Sequence, residues 1–256
     1  MQIYVIMKRT FDTEEKVSLV DGRIDEEGVE FVINPYDEYA LEEAISLKEK
    51  HGGDVTVITV GEEAAEKQLR VALAMGADKA VLIDVEGIEE RDPHTTATLI
   101  AAYLKDKPFD LILGGHVAID GGSGQVGPRL AERLNIPQVT TVTKLDVQRN
   151  KAVLVRDAEG DEETIETELP LLITAQQGLN EPRYPALSGI MKAKKKPLEV
   201  VTIDDLSIDQ EEVAAKTERV DIYLPPKKDR GKMLDGEPRE QVKTLVSLLK
   251  NEAKVI

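Results

Sequence analysis

The feature that most restricts the fold of this chain is the alternation, through its first half, of short β-branched runs with amphipathic helical stretches. The helical stretches carry apolar residues at intervals of three and four, and the short runs are rich in valine and isoleucine. This order predicts an α/β protein with a mainly parallel, doubly wound sheet and helices on both faces, in which ligands bind beyond the carboxyl ends of the strands. The predicted strands are 3–7, 55–60, 79–84 and 110–113, and the predicted helices are 35–50, 62–75, 95–105 and 123–134.

The pattern changes to alternating residues between 142 and 168. A turn-like Ala-Glu-Gly-Asp sequence at 158–161 divides this region, which predicts an inserted antiparallel hairpin with an acidic tip. The carboxylates at the tip are interpreted as a solvated face, because no apolar neighbour would raise their pKa for acid–base work. A further strand is expected at 169–174.

The last part of the chain is polar and ends in an amphipathic helix. A Leu-Pro-Pro-Lys-Lys break at 224–228 precedes the predicted helix 238–253, whose apolar residues are Val242, Leu245, Val246, Leu248 and Leu249. Two arrangements are open: the helix packs back on its own domain, or it forms an arm over another subunit. We place the boundary between the α/β domain, 1–209, and the linker with its helical arm, 210–256.

Composition excludes several functional classes. The chain has no cysteine, and its three histidines, His51, His94 and His116, have no ligand spacing, so neither a thiolate site nor a metal site is expected. A net charge of -16 argues against nucleic-acid binding. The opening strand is followed by charge, and no apolar stretch reaches the roughly 20 residues that span a bilayer. We therefore expect a cytoplasmic protein without membrane insertion.

A glycine-rich run follows the fourth predicted strand and leads into the next helix. It reads G-G-H-V-A-I-D-G-G-S-G-Q-V-G at 114–127. Glycines at a strand-to-helix turn let backbone N–H groups approach an anion, and the helix dipole adds positive potential. The run is neither a P-loop nor a Rossmann G-x-G-x-x-G after the first strand. Phosphate binding and a flexible surface loop are both open readings.

Asn34 begins a second candidate segment, N-P-Y-D-E at 34–38. It suits a helix start, with Asn34 as the cap and Pro35 in the first turn. Asn34 also falls near the expected carboxyl ends of strands, so the alternative is a polar contact to a ribose or base. No Ser/His/Asp arrangement, paired carboxylate site or G-x-S-x-G elbow occurs in the sequence.

The segment 180–196, N-E-P-R-Y-P-A-L-S-G-I-M-K-A-K-K-K, combines an apolar group with a lysine cluster in an acidic protein. Its apolar residues are Ala186, Leu187, Ile190 and Met191. An exposed segment of this kind is a candidate docking surface. The alternative is that Leu187 packs internally and the lysines solubilise the end of a helix.

Five motifs in the chain resemble those of the β subunits of electron transfer flavoproteins. They are M-K-R-T-F-D at 7–12, N-P-Y-D-E-Y-A-L-E-E-A at 34–44, A-L-A-M-G-A-D at 72–78, A-I-D-G-G-S-G-Q-V-G-P at 118–128, and L-N-E-P-R-Y-P-A-L-S-G-I-M-K-A-K-K-K at 179–196. The resemblance runs from the first strand to the terminal helix. The last motif is the most specific.

The resemblance implies a heterodimer with an α subunit that holds most of one FAD, and an AMP buried in this chain. It further implies electron uptake from acyl-CoA and related flavin dehydrogenases and delivery to a quinone oxidoreductase, by a carrier without a catalytic site of its own. The C-terminal arm would then reach toward the α subunit. The AMP positions carried over are Ile6, Asn34, Pro35, Tyr36, Asp37, Val60, Gly115, Asp120, Gly121, Gly122, Ser123, Gly124, Gln125 and Val126.

The resemblance also assigns the segment 183–192 as a recognition loop, with Leu187 as the anchor in an apolar pocket of the dehydrogenase. Its contact residues are Arg183, Tyr184, Leu187, Ile190, Met191 and Lys192. One position departs from the family pattern: Thr13 stands where a tyrosine near the flavin is frequent. Phe11 or backbone of the same loop is then the expected contact.

Three alternatives stay open from the sequence. One is a nucleotide-binding stress or signalling module, which free exchange of ATP and the lack of a flavoprotein partner would favour. An electron-bifurcating flavoprotein subunit would hold a second FAD in place of AMP. An adenine-nucleotide-hydrolysing enzyme or ATP-dependent ligase on a similar scaffold would need a serine- and glycine-rich pyrophosphate loop after the first strand, and residues 7–11 offer none.

Overall fold

The computed structural model describes residues 1–12, 14–88, 90–226 and 230–256. Thr13, the position that departs from the family pattern, and two lysines of the predicted linker, Lys227 and Lys228, lie outside these ranges.

A nine-stranded sheet forms the centre of the protein, in the order β11-β10-β9-β12-β8-β1-β6-β7-β13. In this order, each strand from β9 to β13 is parallel to its neighbours within that range, whereas β10 and β11 pair antiparallel at one edge. This arrangement confirms the predicted doubly wound α/β fold. Two small antiparallel ribbons, β2–β5 and β3–β4, lie outside the sheet. The strands are β1 Gln2–Ile6, β2 Arg9–Phe11, β3 Ser18–Val20, β4 Arg23–Asp25, β5 Phe31–Ile33, β6 Asp54–Gly61, β7 Lys79–Asp84, β8 Leu111–Gly115, β9 Gln138–Gln148, β10 Lys151–Ala158, β11 Asp161–Glu168, β12 Leu171–Ala175 and β13 Leu198–Val201.

Helices cover both faces of the sheet. The buried residues of α1, α2 and α5 pack in one core cluster with alternate residues of β1, and those of α3, α4 and α6 pack in a second cluster on the opposite face. This division follows from the two-residue period of a strand, which points Ile3 and Val5 to one face and Tyr4 and Ile6 to the other. The helices are α1 Pro35–His51, α2 Glu66–Met75, α3 Pro93–Leu104, α4 Val126–Leu134, α5 Leu187–Ala193, α6 Gln210–Val213 and α7 Pro238–Leu248.

The strand order reverses at β1, which pairs with β6 on one side and β8 on the other. The chain builds outward through β6 and β7, then returns through α3 to β8 on the far side of β1. In an open parallel sheet, such a reversal leaves a crevice at the carboxyl ends of the two central strands. The crevice here lies between the ends of β1 and β8.

The predicted antiparallel hairpin is present as β10 and β11, and β9 extends it to three strands. Its tip is a two-residue turn at Glu159 and Gly160, with φ of +56° and +100°. Positive φ at both residues matches the twist of the paired strands, which explains the glycine. The strand β11 is acidic and forms one edge of the sheet, where charge discourages pairing with another strand.

The helix predicted from Ser123 begins three residues later, at Val126. The reason is backbone geometry: Gly122 and Gly124 have φ of +65° and +60°, and a right-handed helix excludes such values. The glycine run is therefore a loop that ends at the helix, and it leaves the N–H groups of the first helical turn at the end of the loop.

Residues 210–217 are held against the start of α3. Asp92 caps this helix by accepting from Thr95 N at 2.9 Å, while its other oxygen accepts from the backbone N of Lys216 and Thr217. Burial opposes ionisation of Asp92, but these hydrogen bonds lower its pKa to about 2. Val213 is buried in the same region. The predicted domain boundary at residue 209 stays a prediction, and the last residue fixed by these hydrogen bonds is Thr217.

The predicted C-terminal helix is α7, which continues into a short π-helical segment at 249–253. None of the residues of α7 is buried, and Val242, Leu245 and Val246 on its apolar side are exposed. An amphipathic helix with its apolar side in water lacks the contact that such a pattern normally serves. This favours the arm over the helix that packs back on its own domain. Among the described residues, no helix has the length and apolar character needed to cross a bilayer.

Truncation after Thr217 tests whether the arm contributes to the stability of the domain. Because α7 buries no residue, we expect the truncated chain to retain its free energy of unfolding to within about 1 kcal/mol, measured by urea denaturation. A control truncation after Asp209 also removes Val213 from the second core cluster and should be clearly less stable. Equal loss of stability in both truncations would contradict this assignment.

Candidate functional site

The crevice between β1 and β8 is held together by one buried carboxylate. The side chain of Asp37, in the first turn of α1, accepts from Lys8 N and from Gly115 N, each at 2.7 Å. Lys8 follows the central strand β1, and Gly115 is the last residue of its neighbour β8. Burial raises the pKa of Asp37 to about 6, and the hydrogen bonds from Lys8 and Gly115 oppose that rise. The family resemblance implies that Asp37 contacts the nucleotide, and in this structure both of its carboxylate oxygens accept from backbone donors.

Asn34 lies in the same crevice, and its side chain does not cap α1. It donates to Val117 O at 2.9 Å and accepts from Ile119 N at 3.2 Å, so it fixes the start of the glycine loop. Asn34 therefore occupies the N-cap position of α1, as predicted, but its side chain binds the loop and makes no capping hydrogen bond. The amide is buried, and it satisfies its polar groups with the loop that the fold brings over it. Pro35 occupies the first turn of α1 as predicted.

Two glycines of β8 are required by close packing. A Cβ atom on Gly114 would lie 2.3 Å from Cγ1 of Ile6, and one on Gly115 would lie 2.5 Å from Oδ1 of Asp37 and 2.6 Å from Cβ of Tyr36. No side chain fits at such distances without a shift of its neighbours. These glycines let the strand end, the helix start and the neighbouring strand converge.

The loop beyond Gly115 is the part of the crevice with room for a ligand. A Cβ atom on Gly121 or Gly122 would meet no atom within 4 Å. Ser123, Gly124 and Gln125 lead to the N-terminus of α4 at Val126, where unpaired N–H groups and the helix dipole favour an anion. Lys8 forms an ion pair with Asp120 at 2.6 Å, which offsets the negative charge of that carboxylate beside the loop.

His116 is a site residue that sequence reasoning did not select, because a lone histidine carries no signal by its spacing. Its ring packs edge-on against Tyr36, with centroids 4.2 Å apart. Burial lowers the pKa of the His116 ring, which favours its neutral form. Its Nδ1 atom is buried and has no hydrogen-bond partner in the described part of the chain. This atom lies directly after β8, at the carboxyl ends of the central strands.

The two remaining candidate contacts lie on the α3–α4 side of the sheet. Ile6, near the end of β1, is buried, and Val60, near the end of β6, is partly buried against the same core cluster. The structure thus brings the two candidate segments, 34–38 and 114–127, and these two apolar residues to the carboxyl ends of neighbouring strands. Phe11, the expected contact in place of Thr13, packs on Phe31 with centroids 4.9 Å apart.

The candidate docking segment presents its apolar side chains to solvent. Tyr184 is 94% exposed, Leu187 77% and Met191 69%, and Ile190 is also exposed. The alternative in which Leu187 packs internally was wrong. Lys192, Lys194 and Lys195 are exposed beside these residues. Arg183 differs from the rest, because its guanidinium pairs with Glu42 and Glu49 of α1 at 2.8 and 2.7 Å.

A doubly wound α/β fold with a glycine loop and a helix N-terminus at its switch point is the architecture that many nucleotide-binding domains share. A model of the electron transfer flavoprotein domain matches residues 21–206. The chain therefore belongs to the electron transfer flavoprotein family.

The chain is 62% identical to electron transfer flavoprotein subunit beta of Bacillus subtilis, and the match covers all of both chains. It is 39% identical to the subunit beta of Syntrophomonas wolfei, over 100% of this chain and 98% of that one. It is 38% identical to the Caffeyl-CoA reductase-Etf complex subunit CarD of Acetobacterium woodii, over 98% of this chain and 99% of that one. These matches confirm the resemblance to β subunits that the five motifs indicated.

Replacing Gly115 or Gly121 with alanine separates packing from ligand binding. Gly115→Ala forces a Cβ against Asp37 and Tyr36, and we expect it to lower the free energy of unfolding by about 1–3 kcal/mol. Gly121→Ala meets no atom of the chain and should change stability by less than about 0.5 kcal/mol. If AMP lies against this loop, Gly121→Ala should weaken its retention about tenfold, or about 1.4 kcal/mol. Calorimetric unfolding and AMP binding by equilibrium dialysis measure the two effects, and unchanged AMP affinity in Gly121→Ala would contradict the assignment of this loop.

Proposed function

We propose that this chain is the β subunit of a heterodimeric electron transfer flavoprotein. It pairs with an α subunit, holds one AMP, helps to enclose the FAD of that subunit, and docks flavin dehydrogenases such as acyl-CoA dehydrogenases. The electrons pass on to a quinone oxidoreductase. The observation that carries the proposal is the exposed apolar side of α5 in a member of this family: an anchor on the surface serves contact with a partner. The chain acts as a carrier subunit without a catalytic site of its own.

The proposed AMP site is the crevice between β1 and β8. The residues present fit a nucleotide: the loop at Gly121 and Gly122 leaves space, and the N-terminus of α4 offers backbone donors for a phosphate. Ile6 and Val60 supply apolar surface on the adenine side. Asn34 and Asp37 act indirectly, because their polar groups already hold the loop and the strand ends. AMP bound here stabilises the folded state by mass action.

The FAD-facing side is proposed at a second opening of the same edge. A cavity of about 650 Å³ lies between the tip of the β10–β11 hairpin and the loop after β12. Tyr36 lines this cavity and also packs on His116, so it stands between the two openings. FAD supplies the redox chemistry when bound, and this chain contributes a wall that limits access of solvent to it.

Docking through α5 suits an electron carrier, which has to bind and leave quickly. A small interface with one central apolar anchor gives specificity without slow dissociation. Lys192 and its neighbouring lysines are placed to attract an acidic partner and to raise the rate of association. The arm that contains α7 is assigned to the α subunit, because none of the residues of this amphipathic helix is buried in the described part of this chain.

A bifurcating carrier is the second candidate, since two relatives are named as subunits of reductase systems. They are the CarD subunit at 38% identity and the Acryloyl-CoA reductase electron transfer subunit gamma of Anaerotignum propionicum at 37%. A bifurcating subunit would hold a second FAD in place of AMP. The higher identity to the Bacillus subtilis subunit, whose name contains no reductase complex, favours the simple carrier.

Cofactor counting on the purified heterodimer tests the proposed function. We expect co-expression with the α subunit of the same organism to yield a complex that releases one FAD and one AMP per dimer after acid denaturation. Two FAD and no AMP would identify the bifurcating form. A stable flavin-free monomer that does not associate with the α subunit would contradict both the AMP form and the bifurcating form.

Leu187→Ala tests the docking anchor. Loss of a buried interface leucine costs about 1–3 kcal/mol, so we expect kcat/KM for a reduced acyl-CoA dehydrogenase to fall roughly tenfold or more. FAD and AMP content should not change, because Leu187 lies outside both proposed cofactor sites. Val200→Ala removes an exposed apolar side chain of β13 and is the matched control. Unchanged kinetics in Leu187→Ala would refute the anchor.

A further inference from the structure

The docking segment is exposed on its apolar side and held firmly on the other. It connects β12, near one side of the sheet, to β13 at the opposite edge, and it crosses over the helices α1 and α2 on the way. Its first half is attached to α1, where Asn180 donates to Tyr39 O at 3.0 Å. Its second half is attached to α2. The segment thus forms a third layer outside the helices.

Arg183 makes the main attachment to α1. Its backbone N, Nε and one terminal nitrogen all donate to the carboxylate of Glu42, at 2.8 to 3.1 Å. Its guanidinium also donates to both oxygens of Glu49. The side chain of Glu42 is only 9% exposed, so the carboxylate lies beneath the segment. Because three nitrogens of one planar group donate to these two carboxylates, the guanidinium of Arg183 is held in one orientation.

The attachment to α2 uses reciprocal bonds at helix ends. Arg70 of α2 donates to Ala193 O and Lys196 O, each at 3.0 Å, where α5 ends. Lys196 in turn donates to Leu73 O and Ala77 O, where α2 ends. Positive side chains at helix C-termini also match the helix dipole. A Cβ atom on Gly189 would lie 2.3 Å from Ala74 O, so the two helices are in direct backbone contact.

This construction has a consequence for docking. A seven-residue helix is unstable in isolation, and ordering it during association would cost part of the binding free energy. Because the attachments to α1 and α2 already order the helix when the chain folds, association does not have to order it. The side chains of Tyr184, Leu187 and Met191 are then presented on a helix that already has a fixed position.

We propose that Arg183 is a positioning residue, which acts through Glu42 and Glu49 to hold α5 ready for docking, and that it does not contact the partner itself. This inference rests on the proposed docking function of α5. It reassigns Arg183 from the partner contacts that the family resemblance implied. It also makes Glu42, a buried residue of α1, a determinant of the affinity for the dehydrogenase.

The FAD-loaded heterodimer, with a reduced acyl-CoA dehydrogenase as the electron donor, provides the test. We expect Arg183→Ala and Glu42→Ala each to raise KM for the dehydrogenase about three- to tenfold, with kcat unchanged, because more ordering is left to the binding step. The double variant should show little more effect than either single variant. Arg183→Lys, which keeps the charge near Glu42, should recover part of the loss. Glu49→Gln changes an exposed residue with less risk to folding and should give a smaller rise in KM.

Hydrogen exchange supplies a readout independent of electron transfer. The backbone amides of α5 should exchange faster in Arg183→Ala and Glu42→Ala than in the unaltered heterodimer. A rise in KM for Arg183→Ala alone, with Glu42→Ala and Glu49→Gln like the unaltered protein, would show direct contact with the partner and overturn the proposal. An effect of Leu187→Ala without any effect of the Arg183 and Glu42 variants would also overturn it. A silent Leu187→Ala would overturn the docking function itself, and the positioning role with it.

Discussion

The carboxylate of Asp37 is the interaction on which the arrangement of the strand ends depends. It binds the backbone of Lys8 and of Gly115, and so joins the first turn of α1 to both central strands at the point where their order reverses. Two backbone donors in a buried place need an acceptor, since an unsatisfied N–H there would cost about 1–3 kcal/mol each. A carboxylate can satisfy both at once. The close approach of α1 and β8 that this requires leaves no room for a side chain at Gly115.

The proposed docking segment depends on a different constraint, the path of a crossover connection. Strands β12 and β13 belong to one sheet but are separated in it by β8, β1, β6 and β7. The space next to the sheet is already filled by α1 and α2, so the connection passes outside them. One side of that connection packs on helices and the other side necessarily faces solvent. Salt bridges and helix-end hydrogen bonds on the packed side hold Leu187 in place on the exposed side.

The sequence predicted much of the fold and located the candidate site in part. The strands β1, β6 and β7 and the helix α1 were predicted close to their observed bounds. A strand buried on both faces has a continuous apolar run, and a helix buried on one face has apolar residues at intervals of three and four, so both are visible in the local sequence. The start of α4 was misplaced, because spacing does not show which glycines take positive φ. His116 was not selected and the Asn34 side chain was misread as a cap. In both cases the role of the residue depends on contacts with segments that are distant in the sequence or on burial, which a local pattern does not show.

The sequence alone therefore determined the class of fold, the family and the segments that contain the candidate site residues, since periodicity, glycine runs and specific motifs are local properties of the chain. Only the tertiary structure decided what each polar side chain does. Asp37 and Gly115 are 78 residues apart, and Arg183 and Glu42 are 141 apart. No local pattern encodes such a pairing, because it arises from the order in which strands and crossovers assemble. That order turned Asp37 into a bridge between strands, and it turned Arg183 from an expected partner contact into a residue bonded to its own domain.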